Sequence, residues 1–174
     1  MQADRNRPKD PPCPNAGFEA GVIQEVERLV SELPPGTANL RISRIPDHPE
    51  WPEPYFAVIP TNSRAARFEG FVVADDLTLT VGEAVREFIG FARGGTLFRG
   101  ACWQQELHWI WKAVESGGFT QRHYLDTHGK IIGWTTKLPV NGREIVFRNG
   151  RRAERLFARE IVRTVTYAPY SSGH

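Results

Sequence analysis

The sequence predicts an α+β domain, a mainly antiparallel sheet with an N-terminal helix and a central helical pair packed on one face. Three observations carry this expectation. Apolar residues recur at helical spacing over Phe18–Leu33 and again over Ala101–Glu115. Short alternating or continuous apolar runs lie between those stretches, and after Gly118 the period becomes that of strands, punctuated by Asp-Thr-His-Gly and Asn-Gly turns. Helices grouped among runs of strands belong to the α+β class.

Met1 to Asn15 carries Pro8, Pro11, Pro12 and Pro14 among charged residues and is expected to be a disordered arm. From Ala16, Phe18, Val22, Val26, Leu29, Val30 and Leu33 form one face of an amphipathic helix, which Pro34-Pro35-Gly36 stops. Leu40 and Ile42 alternate with Arg41 and Ser43 as a short strand. A proline-rich loop over 46–54 displays Trp51. Tyr55–Ile59 reads as a strand covered on both faces, and Phe68–Ala74 and Leu77–Leu79 as two more. Thr80-Val81-Gly82-Glu83 fits a capping box, so a helix is expected with Val81, Val85, Phe88, Ile89 and Ala92 on its apolar row, ended by Gly94-Gly95. That helix and the next would form an αα-hairpin.

The central helix has Trp103, Leu107, Ile110 and Val114 on one row and Cys102, Trp109 and Ala113 on the row beside it. Such a helix must be covered on two sides. Strands then follow at 119–125, 130–136, 143–148 and 161–167, joined through 126–129, 139–142 and a tight primed turn at Asn149-Gly150. Arg151–Arg159 fits a helical turn or a ragged strand equally well. The domain is expected over 16–170, with 171–174 a frayed tail.

Composition narrows the functional classes. With 40% hydrophobic and 24% charged residues, the 174-residue chain resembles an ordinary globular domain, and its net charge of +2 is too small to argue for nucleic acid unaided. No apolar run reaches the roughly 20 residues that a membrane helix needs, and the first residues form no apolar signal region, so a cytoplasmic protein without a membrane partner is expected. Arginine far outnumbers lysine, which fits a GC-rich bacterial coding sequence. No phosphate loop, dinucleotide fingerprint or metal-ligand spacing is present, so neither cofactor nor metal is expected.

Two kinds of residue remain as functional candidates. Glu106 falls inside the apolar arc of the central helix, where desolvation would make a carboxyl group able to exchange protons near neutrality. With His108 or His123 it could serve a small-molecule hydrolase or isomerase whose pocket lies between helix and sheet. The second group is made for binding. Trp51, Trp109 and Trp111 are candidate aromatic anchors, and Arg148, Arg151, Arg152 and Arg155 crowd the C-terminal hairpin beside further arginines. Because catalytic motifs are absent, the reading is of a small cytosolic bacterial protein-binding module, of the immunity or regulator kind, whose partner is another protein. The enzyme is the alternative, and nucleic-acid binding through the Arg-rich hairpin is the second alternative.

Overall fold

A computed structural model describes residues 17–43, 56–73, 76–88, 90–91, 97–150 and 161–171. In these residues the fold is α+β, with helices α1 (Phe18–Ser31) and α2 (Trp103–Glu115) and a nine-stranded antiparallel sheet. The strands are β1 (Ala38–Ile42), β2 (Phe56–Pro60), β3 (Phe68–Val73), β4 (Asp76–Val81), β5 (Ala84–Phe88), β6 (Thr120–Leu125), β7 (Ile131–Val140), β8 (Arg143–Asn149) and β9 (Ile161–Thr166). They lie in the order β1-β2-β3-β4-β5-β8-β7-β6-β9. The β1–β5 meander is thus joined edge to edge to a β6–β8 meander that carries β9 on its far edge, and the joint is narrow, with the single registered pair Val85↔Arg148.

α1 buries Val22, Val26 and Leu29, the spacing that its sequence carries. It ends where Pro34 can only accept a bond, its carbonyl taking the Thr37 N–H at 3.1 Å. β2 buries Phe56, Ala57 and Val58 in succession, as a strand covered on both faces should. α2 lies against α1 and the sheet. Trp103 packs edge-on to Phe18 at 5.3 Å, and Trp111 fits between Phe68 and Tyr170 at 5.5 and 5.3 Å.

The expected central helical pair is not formed. Residues 84–88 are strand β5, paired antiparallel with β4 from Val81↔Ala84 to Leu77↔Phe88. This register leaves Gly82-Glu83 as a two-residue turn with positive φ at Gly82 alone, the pattern of a type II′ hairpin and not of a capping box. Arg86 disguised the strand: it stands opposite Leu79 on the core-facing side and interrupts the period-two apolar pattern. The helix that accompanies α2 is α1 instead.

A second correction concerns turns. The tight primed turn is Asn141-Gly142, both at positive φ, between the paired residues Val140 and Arg143. Asn149-Gly150 closes no hairpin between described strands, because β8 has β5 and β7 as neighbours while β9 pairs with β6. Gly150 is needed for another reason: a Cβ there would overlap the Ile132 carbonyl oxygen on β7. The expected arm before Asn15, the proline-rich loop, the Gly94-Gly95 stop and the ambiguous stretch 151–159 lie outside the described residues.

Candidate binding site on the C-terminal strands

Glu106 is fully buried on the first turn of α2. Its Oε1 accepts the N–H groups of Leu97 at 2.8 Å and Phe98 at 2.7 Å. The loop so captured is held from its other side by Arg143, which donates to the Leu97 carbonyl at 2.6 Å and lies over the Phe98 ring at 5.1 Å. Half-buried Arg86 adds charge compensation: burial and Arg148 press its guanidinium below the ordinary value, while Glu106 works in the opposite direction. Glu106 is therefore a clamp that fixes the entry to α2. One carboxylate oxygen thus accepts two backbone donors, an arrangement that fits a structural role.

The histidines do not complete a catalytic set with it. His108 is half-buried on α2 with Nδ1 lacking a partner among the described residues. His123 belongs to a different hydrogen-bonded group on β6, and His128 sits exposed in the β6–β7 turn, where Asp126 accepts its N–H at 2.8 Å. Among the described residues no three His, Cys, Asp or Glu side chains come together as metal ligands.

The group around His123 is the most unusual polar feature of the sheet. Gln121, His123 and Thr136 are all buried on the inner face, at positions where β1–β4 place apolar residues. The sheet curls far enough for the β4–β5 turn to reach Gln121. The N–H groups of Glu83 and Ala84, each at 3.2 Å, fix the Gln121 amide oxygen on their side, where it also accepts from the Thr136 hydroxyl at 2.9 Å. Its amino group then donates to the Tyr167 hydroxyl at 2.8 Å and to His123 Nε2 at 2.9 Å. Gly82 is obligatory here, since a Cβ would overlap the Tyr167 hydroxyl.

This orientation has a consequence for His123. Its Nε2 accepts, so the neutral ring carries its proton on Nδ1. Burial and the Arg163 charge lower its affinity for a second proton, against the weaker pull of Glu83. Burial, with Glu83 adding to it, pushes the Tyr167 phenol up to about 12. Both groups are thus neutral at physiological pH. His123 Nδ1 and the Nε1 of Trp134, its register partner on β7, are buried without hydrogen-bond partners among the described residues. Each such donor costs roughly 1–3 kcal/mol.

The tryptophans are mostly structural. Trp111 is 1% exposed and is no surface anchor; at its place on the helix it abuts the Leu107 row, and both neighbouring rings enclose it. Trp109 is half-buried and stacks edge-on to Phe98 at 5.0 Å. Trp51, Arg151, Arg152 and Arg155 lie outside the described residues.

Arg148 is exposed on the outer face of β8 and shares its row with Arg122 on β6, since Thr135 on β7 is paired in register with both. Neither arginine forms an ion pair among the described residues. Sequence reasoning passed over Arg122, although alternation along β6, with Gln121 and His123 facing inward, places it outward. Exposed Thr120, Lys137 and Thr164 complete the outward surface near them.

No protein-family model, curated protein or solved structure matches the chain. Among the described residues no helix is long and apolar enough to cross a membrane.

Proposed function

We propose that this protein acts by binding another protein, in the manner of an immunity or regulatory protein, and that the outer face of β6–β8 receives an acidic patch of that partner. One observation carries the reading. Arg122 and Arg148 stand on one rigid face with a single strand between them, exposed and without internal carboxylate partners. Adjacent strands are about 4.8 Å apart, so the two side chains arise about 10 Å from each other, a spacing set by the sheet. Arginines preorganised in this way lose little entropy when they meet carboxylates. The interior supports the same reading, because its buried carboxylate is spent on holding the loop before α2.

The test is charge reversal. Immobilised wild-type protein and the R122E/R148E double variant are exposed to native lysate at physiological salt, with and without nuclease. The expected result is a protein retained by the wild type, lost on the variant and unaffected by nuclease. Equal retention on both would overturn the reading. Retention that nuclease abolishes would transfer this face to a nucleic acid, whose binding must weaken steeply with salt.

A further inference from the structure

We propose that His123 and Trp134 form a binding site for a small carboxylate, whose two oxygens accept from His123 Nδ1–H and Trp134 Nε1–H. The site lies on the inner face of the C-terminal strands, opposite the arginine face, and is independent of it. Its evidence is an imbalance of donors. The contacts that satisfy the Gln121 amide oxygen and amino group leave His123 with a proton on the nitrogen that has no acceptor among the described residues. The second unmatched donor belongs to the neighbouring ring, at 6.1 Å between centroids and nearly perpendicular to the imidazole. Both donor nitrogens are buried, and His123 as a whole is 8% exposed.

Charge selects among acceptors. Arg163, register-paired with His123, and Asn149, paired with Trp134, are exposed at the same end of this face. Arg163 lies near enough to lower the imidazole's proton affinity, and Glu83 near enough to raise it. One cation partly offset by one anion suits a singly charged ligand better than a dianion. Two neutral N–H donors suit a group with two acceptor oxygens better than an amide with one. A carboxylate meets both conditions.

The experiment follows the Trp134 indole N–H in the full chain labelled with ¹⁵N, assigned by its disappearance in W134F. Sodium acetate is titrated in at constant ionic strength, with inorganic phosphate and acetamide in parallel titrations. The expected result is a saturable downfield shift with acetate, weakened about tenfold or more by H123F and by R163Q, the loss expected for one charge-assisted or otherwise unsatisfied hydrogen bond. Absence of a saturable shift, or unchanged acetate affinity in H123F, overturns the proposal. Saturation by phosphate or acetamide at lower concentration than by acetate overturns the carboxylate assignment. A measurement on the unsubstituted protein guards against misfolded variants: the His123 Nδ1–H resonance must follow the same isotherm as the indole, and an independent response overturns the shared site.

Discussion

The inner face of the sheet is apolar along β2–β4, whereas on β6–β8 a polar patch adjoins the apolar residues Leu138, Val140, Ile145 and Phe147. On β2, β3 and β4 the inner face carries Phe56, Val58, Phe68, Leu77, Leu79 and Val81, all fully buried. Gly70 stands among them because a Cβ there would strike the Phe56 ring. On β6 and β7 the equivalent face carries Gln121, His123 and Thr136, joined by hydrogen bonds, beside Trp134, with the His123 and Trp134 donors left over. Apolar packing is non-directional and tolerates exchange, whereas a buried polar network requires each partner in place. The first meander is therefore held by packing alone on this face, whereas the second combines packing with a polar patch that is costly to bury.

If that division holds, the largest effect should come from the apolar half. Phe68 contacts both Phe56 and Trp111, at 5.7 and 5.5 Å between ring centroids. Phe68→Ala is expected to cost about 3–5 kcal/mol, read as a fall in the urea midpoint at constant slope. A loss below about 1 kcal/mol would mean that the aromatic cluster is not the stabilising centre.

Next in size is the Glu106 clamp on the loop before α2. Glu106 is the only buried carboxylate among the described residues, and Glu106→Ala strands the N–H groups of Leu97 and Phe98. About 2–3 kcal/mol of stability should be lost, with capture of a protein partner unchanged when measured well below the melting temperature. If partner capture or an enzymatic activity disappeared while the fold survived, Glu106 would regain a functional role and the comparison between halves would fail.

What could be read from the sequence follows the same division. The apolar rows of α1 and α2 and the run at β2 were legible because burial imposes a period. Arg86 defeated the period at β5, since a charge on the inner face is tolerated only through contacts that no local pattern shows. The identical dipeptides Asn141-Gly142 and Asn149-Gly150 differ in outcome because of the strand that follows each in space. Glu106 could be placed in the apolar arc, but its partners are main-chain amides, which all residues but proline possess. His123 was visible as a candidate. Gln121 was not, because its importance comes from facing the β4–β5 turn, a meeting forty residues distant in the chain.

The smallest predicted effect concerns pH and isolates the polar half. His123 faces Gln121 and Trp134 on neighbouring positions, with the charges of Arg163 and Glu83 acting on it. Burial and Arg163 hold its proton affinity below the ordinary value of 6.5. Between the folded and ordinary values, the unfolded chain binds a proton that the folded chain does not. Stability must then rise with pH through that window. The contribution is complete above about pH 6.5 and is lost as pH falls toward the folded value. Urea melts of the wild type and His123→Gln across this range should converge toward the acid side, because the variant lacks the proton-linked penalty. Carboxylate titrations act equally on both proteins and cancel in the difference. Parallel curves would show that His123 takes up its proton as freely in the sheet as in the unfolded chain, and the neutral Nδ1–H tautomer would then lose its electrostatic support.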